Sequence, residues 1–94
     1  ALALLSETND IEYQTILASL AQQLKHYQAA ISAYQRLNNL QPTQGRWVMG
    51  LAIAYDSNSQ FSLAAKAYRL ALSLGDLSES ARVFIKERLQ ELGE

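Results

Sequence analysis

The chain has 94 residues, enough for one small domain and too few for a second independent one. Nine acidic and eight basic side chains give a formal net charge of -1, so no broad basic surface exists to bind nucleic acid. Cysteine is absent, which excludes disulfides and thiolate metal sites. No apolar run reaches the roughly 20 residues that span a bilayer, so we expect no membrane insertion by this segment.

The first residues form a short apolar run that contains Leu2, Leu4 and Leu5. Such a run is typical of the end of a helix that began upstream. We therefore expect residues 1–8 to be the remnant of a preceding helix or repeat, or a linker, in a longer protein. Without that helix the three leucines leave an apolar face uncovered, which makes self-association into a homo-oligomer an alternative role for the chain.

Two helices are predicted over the first half of the chain. Asn9 and Glu12 form a capping pair that predicts a helix from about Asp10 to Lys25. A second helix is predicted from about Tyr27 to Asn39, and Pro42 stops it. The apolar residues expected to face the core are Ile11, Ile16, Leu17, Leu20, Ala21 and Leu24 in the first helix, and Tyr27, Ala30, Ile31, Tyr34 and Leu37 in the second.

Three further helices are predicted in the second half. Thr43 is expected to cap a third helix from about Gly45 to Asp56, and a fourth helix follows the turn at 56–59 and ends near Gly75. A fifth helix is predicted from about Ser78 to Leu92, after the capping pair Asp76 and Glu79. The large side chains expected in the core are Trp47, Val48, Leu51, Tyr55, Phe61, Tyr68, Phe84, Ile85 and Leu89. No alternating strand pattern occurs, so the fold class is all-α.

Identical residues recur at a fixed offset of thirty-four positions. The pairs are Leu17 and Leu51, Ala18 and Ala52, Ala30 and Ala64, Ala33 and Ala67, Tyr34 and Tyr68, and Leu40 and Leu74. A repeat of this length is typical of stacked helix pairs, each of which buries its apolar face against the next. The identities end at Gly75, and we expect the repeat to stop there.

These residues resemble the tetratricopeptide repeat family. The family's alternation of small and aromatic residues is carried by Leu51, Ala52, Tyr55, Phe61, Ala64, Tyr68 and Ala71, and earlier by Leu17, Ala18, Tyr27, Ala30, Tyr34 and Pro42. Ala21, Leu37 and Asp76 depart from the usual pattern. The resemblance implies a right-handed α-solenoid of two helical hairpins, residues 9–43 and 44–76, closed by a C-terminal capping helix in residues 77–94.

The same resemblance implies a groove that binds a protein or peptide segment, because the first helix of each hairpin lines the concave side in this family. The groove residues carried over by position are Glu12, Thr15, Ser19, Gln22, Gln23, Arg46, Met49, Ile53 and Asp56. Met49 and Ile53 would offer apolar contacts and Arg46 a partner for a carboxylate. The alternative for Met49 and Ile53 is contact with a neighbouring repeat.

A narrower resemblance rests on residues 46–54 and 77–85. These stretches, RWVMGLAIA and LSESARVFI, are similar to the carboxyl-terminal end of MshN-type proteins of the MSHA (type IV) pilus assembly system. This resemblance implies an assembly scaffold of the bacterial cell envelope, with the repeat domain facing the periplasm from an anchor in the inner membrane.

The sequence indicates no catalytic or cofactor chemistry. His26 is the single imidazole, and no second ligand stands at the spacing that a metal or acid–base site requires. The serines lack a glycine-framed elbow, and the four glycines form no phosphate-binding loop. We expect neither enzymatic activity nor a cofactor nor a metal ion, and an enzymatic role would require a ligand near His26.

Overall fold

A computed structural model describes residues 10–93 of the protein. It contains five α-helices in this part of the chain: α1 at Ile11–Gln23, α2 at Tyr27–Leu40, α3 at Gly45–Ser57, α4 at Phe61–Leu74 and α5 at Glu79–Glu91. No strand occurs among the described residues, so the predicted all-α class is confirmed. The apolar run at Leu2, Leu4 and Leu5 and the predicted cap Asn9 lie outside the described residues.

The ends of the helices repeat along the chain. Helices α1, α3 and α5 begin at residues 11, 45 and 79 and end at residues 23, 57 and 91, so each lies thirty-four residues after the one before. Helices α2 and α4 have the same offset. Lys25, Ser59 and Gly93, also thirty-four apart, have positive φ angles of 62°, 60° and 84°. The helix bounds therefore keep the offset of thirty-four residues through α5, although the residue identities end at Gly75.

The turn between the helices of a pair is also repeated. The His26 amide donates a hydrogen bond to the Ala21 carbonyl at 2.8 Å, and the Gln60 amide donates one to the Tyr55 carbonyl at 2.9 Å. Each bond reaches back across a left-handed residue and satisfies a carbonyl that the helix end leaves unpaired. Links of three or four residues leave no room for a crossover, and consecutive helices contact each other.

Side-chain caps begin α1 and α5. The Asp10 carboxylate accepts a hydrogen bond from the Tyr13 amide at 3.2 Å, so Asp10 fills the capping role that the sequence predicted for Asn9. The Ser78 hydroxyl accepts one from the Ala81 amide at 3.2 Å. The prediction that Asp76 caps α5 is therefore wrong, because Ser78 lies directly before the helix and Asp76 binds elsewhere.

Asp76 instead binds the start of α3. The Gly45 amide donates to both carboxylate oxygens of Asp76, at 3.1 Å each. Gln44 occupies the N-cap position and makes no side-chain capping bond, so the expected cap by Thr43 is also wrong. A carboxylate at this end of the helix satisfies a free amide and opposes the helix dipole. The link after α4 thereby fastens the beginning of α3.

Helix packing follows the order of the chain. Among the described residues the extensive contacts join α1 with α2, α2 with α3 and α3 with α4, and α5 makes a smaller contact with α4. The resulting molecule is elongated, with extents of 42 × 25 × 18 Å. None of the described helices is both long enough and apolar enough to cross a membrane.

Three clusters of buried side chains hold the helices together, and each cluster takes residues from three consecutive helices. Two clusters join α1, α2 and α3; one contains Ala18, Ala33, Leu37 and Trp47, and the other contains Ala21, Ala30, Ile31 and Ala54. The third joins α3, α4 and α5 through Val48, Ala52, Ala64, Ala67, Tyr68, Ala71 and Ile85. Alanine is the commonest residue in these clusters, and its small side chain allows the helix axes to approach closely.

The apolar stripe predicted for α1 is partly wrong. Ile16, Leu20 and Leu24 are largely exposed, whereas Gln14, Ala18 and Ala21 are the buried residues of this helix. Packing against α2 and α3 uses the small side chains, which leaves the bulky ones on the opposite side. Phe61 and Phe84 were also expected in the core and are nearly half exposed, while the predicted core residues Trp47, Val48, Tyr68 and Ile85 are buried.

At Gly50 the side chain of Tyr34 in α2 lies directly against the backbone of α3. A Cβ atom placed on Gly50 would overlap the ring of Tyr34. The ring therefore fits against α3 only because this position has no side chain. Tyr34 of the first helix pair and Gly50 of the second are therefore complementary in shape where the two pairs meet.

Replacing Gly50 by alanine should lower the free energy of unfolding by about 1–2 kcal/mol, because overpacking against Tyr34 outweighs the better helix propensity of alanine. Urea unfolding measures the change. In a Tyr34→Ala background the same substitution should become stabilising, since only the propensity gain of about 1 kcal/mol remains. If Gly50→Ala were equally destabilising in both backgrounds, overlap with the Tyr34 ring would not be the cause.

Replacing Asp76 by alanine should lower the free energy of unfolding by about 1 kcal/mol, the usual effect of losing a helix cap. The matched control is Thr43→Ala, at the position where the sequence suggested the cap, and it should leave the urea midpoint nearly unchanged. If Thr43→Ala lowered the free energy of unfolding more than Asp76→Ala does, Asp76 would not be the residue that caps α3.

Candidate partner-binding surface

The predicted surface residues on α1 lie along its solvent side. Glu12, Ser19 and Gln23 are exposed, and Thr15 and Gln22 are half-buried. The Thr15 hydroxyl donates to the Ile11 carbonyl of its own helix at 2.7 Å. This row is uncharged after Glu12, so its contribution to binding would be neutral hydrogen bonds.

The predicted residues on α3 combine a cation with apolar side chains. Arg46 is exposed, and its guanidinium carbon lies 4.4 Å from the ring centre of Trp47. This cation–π contact holds the guanidinium while its donors still face solvent. Met49 and Ile53 are half-buried and pack with one side against the cluster of α3, α4 and α5. These three residues present an apolar strip beside a fixed positive charge.

The two rows of surface residues are joined at their C-terminal ends. The Gln22 side-chain amide donates a hydrogen bond to the Ser57 hydroxyl at 3.1 Å. Ala18 of α1 packs with Trp47 of α3, and Ala21 with Ala54, so the two helices belong to shared clusters. The two helices therefore contribute to the same buried clusters, and one hydrogen bond joins the end of the α1 row to the end of α3.

Asp56 differs from the other predicted surface residues because its carboxylate is already bound within the protein. Arg88 of α5 donates to it twice, from Nε to Oδ2 at 2.7 Å and from Nη2 to Oδ1 at 2.8 Å. The Tyr68 hydroxyl of α4 donates to Oδ2 at 2.9 Å. Both carboxylate oxygens accept hydrogen bonds, so Asp56 joins α3, α4 and α5 rather than offering a charge to a partner.

The hydrogen bonds among Asp56, Tyr68 and Arg88 shift the pKa values of these three side chains. The hydrogen bonds from Arg88 hold the pKa of Asp56 below its usual value, with a smaller contribution from Tyr68 and against the opposing effect of burial. Burial and the bond to Asp56 raise the pKa of Tyr68, and the bonds to Asp56 and Glu91 raise that of Arg88. At neutral pH the pair is therefore a carboxylate and a guanidinium.

Sequence reasoning did not find the role of Arg88. Asp56 and Arg88 are separated by thirty-two positions in the chain, and no local spacing rule connects them. The repeat offered a signal, since it places α5 beside the pair α3 and α4. That signal required the repeat to continue past Gly75, where the sequence identities end.

A further apolar surface lies next to the predicted row on α1. Ile16, Leu20 and Leu24 are 58%, 49% and 57% exposed. A shallow depression of about 390 Å³ is lined by Thr15, Ile16, Ser19, Leu20 and Gln23. The stripe could have been recognised in the sequence, because Gln14, Ala18 and Ala21 define an alternative helical face on its opposite side.

The described residues offer little for reaction chemistry. His26 is exposed at the N-cap position of α2, and its side chain makes no capping hydrogen bond. Within residues 10–93 no group of three or more His, Cys, Asp or Glu side chains could hold a metal ion.

Comparison with known proteins adds no relative. The chain matches no family model, and no curated protein is significantly similar to it. The resemblances drawn from its sequence therefore support proposals about its function.

The ion pair between Asp56 and Arg88 should make stability depend on pH. Because the pKa of Asp56 is lower in the folded than in the unfolded protein, its stabilisation is complete above the unfolded pKa of about 4 and is lost as pH falls through the folded value. Arg88→Gln removes the largest cause of the shift. Its stability deficit relative to the wild type should be largest at neutral pH and shrink below about pH 4.

Urea unfolding of both proteins between pH 7 and pH 2 tests this expectation. The control is Glu87→Gln, which removes an exposed carboxylate on the same helix and should run parallel to the wild type. If the deficit of Arg88→Gln stays constant across the whole acid range, the Asp56 carboxylate is not the partner that matters.

Proposed function

We propose that the protein is a non-enzymatic scaffold that binds a protein or peptide segment. Its architecture is that of two tetratricopeptide-like hairpins, residues 9–43 and 44–76, stacked as a right-handed α-solenoid and closed by the helix in residues 77–94. The observation that carries the proposal is the offset of thirty-four residues shared by the helix ends and by the left-handed positions at Lys25, Ser59 and Gly93. Stacked repeats of this length serve chiefly as extended binding surfaces.

The character of α5 supports its role as the closing helix. Arg82 and Lys86 occupy the positions that Val48 and Ala52 hold in α3, thirty-four residues earlier. Val48 and Ala52 are buried beneath the following helix, whereas a helix placed on α5 in the same way would cover two cations. A polar outer face is what terminal repeats require for solubility.

The partner segment we propose has an apolar side chain next to a carboxylate. Met49 and Ile53 supply adaptable apolar contact, and the guanidinium of Arg46, held over Trp47, supplies the matching cation. The polar row of α1 extends this surface through Ser19, Gln22 and Gln23, where backbone groups of an extended segment would find hydrogen bonds. Asp56 contributes indirectly, by fixing α3 against α4 and α5.

The resemblance of residues 46–54 and 77–85 to MshN-type proteins suggests where such a partner would be found. A periplasmic component of MSHA (type IV) pilus assembly is the partner class we propose. The first of these stretches contains Arg46, Met49 and Ile53, so the resemblance covers part of the proposed binding surface itself. Capture of pilus-assembly proteins on the immobilised domain, followed by mass spectrometry, tests this narrower proposal.

The double substitution Met49→Asp and Ile53→Asp should weaken binding of the captured partner at least tenfold, because it replaces the apolar contact by charge. Calorimetric titration measures the affinity. The matched control is Leu63→Asp with Leu70→Asp on α4, two exposed leucines of similar size away from this surface. Circular dichroism shows whether either variant has lost helix.

Arg46→Glu is a second test of the proposed binding surface. It changes no buried side chain, because Arg46 is exposed. It should reverse the local charge and weaken binding of an acidic segment, with less effect at high salt. If both surface variants bind as tightly as the wild type while the α4 control does not, the proposed surface is wrong.

A further inference from the structure

Two positions of the repeat carry different residues in α3 and in α5. In α3 they are Gly50 and Ala54, which lie against α2, and thirty-four residues later in α5 they are Phe84 and Arg88. Small residues permit a close helix crossing, whereas a ring and a guanidinium keep two helices further apart. The contact of α5 with α4 is accordingly smaller than the contact of α3 with α2.

The tyrosines of the two helix pairs show this difference directly. The Tyr34 ring lies against the backbone at Gly50, but its repeat equivalent Tyr68 meets the Phe84 ring edge to face, with 6.2 Å between the ring centres. Phe84 remains 43% exposed in this contact. Ile85 is the one residue of α5 that is buried. Only limited apolar burial therefore holds α5 against the rest of the protein.

The polar attachment of α5 is the ion pair with α3. Both oxygens of the Asp56 carboxylate accept hydrogen bonds from the Arg88 guanidinium, at 2.7 and 2.8 Å, and Tyr68 donates to one of them. The side chain of Arg88 is 31% exposed and that of Asp56 13%, so water reaches the pair. The two charges can therefore separate and regain their hydration when the helix lifts, which a fully buried pair could not do.

The link before α5 is held independently of the helix that follows it. Asp76 accepts hydrogen bonds from the Gly45 amide, and the Leu77 side chain lies beside Gly45 and packs on the cluster of α3, α4 and α5. Ser78 begins the helix and caps it from within, by accepting from the Ala81 amide. Helix α5 can therefore turn about Ser78 while the link stays on α3.

We propose that α5 is a clasp, which the bond between Asp56 and Arg88 closes and which opens as a unit about Ser78 while α1 to α4 stay folded. The extensive contacts of α1 with α2, α2 with α3 and α3 with α4 join helices other than α5, so they persist when it lifts. Its thirteen residues are too few for a stable isolated helix in water, so its backbone hydrogen bonds open with it. Segments with few buried apolar contacts are those that open at low free energy.

Opening of the clasp changes the surface that α3 presents. Arg46, Met49, Ile53 and Asp56 follow one another at intervals of three, four and three residues, so they form one row on the helix. In the closed state Arg88 occupies the carboxylate at the end of this row, and in the open state Asp56 is accessible to a cation of a partner. This consequence rests on the proposed scaffold function, whereas the opening itself needs no other protein.

Hydrogen exchange of the backbone amides, followed by NMR, tests the opening. In the wild type the protection factors of α5 should be at least roughly tenfold lower than those of α2, and Arg88→Gln should lower them roughly tenfold further. The matched control is Arg82→Gln, because Arg82 binds Glu79 of its own helix and should change them less than about twofold. Ile31→Val in the core of α2 should lower the protection of α2 about fivefold and leave that of α5 unchanged.

Limited digestion with trypsin measures the same opening by another route. Cleavage after Lys86 requires α5 to open, and in the wild type it should precede cleavage after Lys66 of α4. Arg88→Gln should raise the rate of cleavage after Lys86 roughly tenfold, and Arg82→Gln should leave it nearly unchanged. Each rate is divided by that of a synthetic peptide of residues 79–91 with the same substitution, which corrects for the sequence preference of the protease.

Three results would overturn the clasp. The first is protection of α5 equal to that of α2 in the wild type, and the second is an equal effect of Arg82→Gln and Arg88→Gln on α5. The third is a loss of α5 protection in Ile31→Val as large as the loss in α2, because α5 would then open only when the whole protein unfolds. Exchange and digestion are measured without a partner, so failure of the scaffold proposal would leave these results unaffected.

Discussion

The close crossing of consecutive helices at alanine is the constraint on which the rest of the structure depends. Ala18, Ala30, Ala52 and Ala64 are all fully buried, and they form two pairs at the repeat offset. A larger side chain at such a crossing would force the helix axes apart. Because the same spacing of small residues occurs twice, the same approach of helices occurs twice, and the turns and helix ends recur with it.

Equivalent positions of the repeat have acquired different roles. Gln22 and Asp56 stand thirty-four residues apart, and both lie near the end of their helix. Gln22 donates to Ser57 and links the two helix pairs, whereas Asp56 accepts from Tyr68 and Arg88 and attaches the last helix. The ionised pair at Asp56 compensates for the small apolar contact of α5, of which Ile85 is the one fully buried side chain. The two repeats thus have similar helix bounds but make different polar contacts at this position.

The first and the last described helix differ in the character of their outward sides. The outward side of α1 is apolar at Ile16 and Leu20, while that of α5 is cationic at Arg82 and Lys86. Covering apolar side chains is favourable because it removes them from water, whereas covering charged side chains costs them their hydration. The proposed partner strip belongs to α3, which lies between these two helices in the chain.

The number of helices and the approximate position of their ends followed from the sequence, because apolar periodicity and residues such as Pro42 and Gly75 act over one or two turns. The binding role of Met49 and Ile53 came from the family resemblance and stays a prediction. Three features depended on residues far apart in the chain: the cap on Gly45 by Asp76, the bond between Asp56 and Arg88, and the exposure of Ile16 and Leu20. The sequence determines which faces of a helix are apolar, but only packing selects the face that is buried, because alanine permits a closer crossing than leucine does.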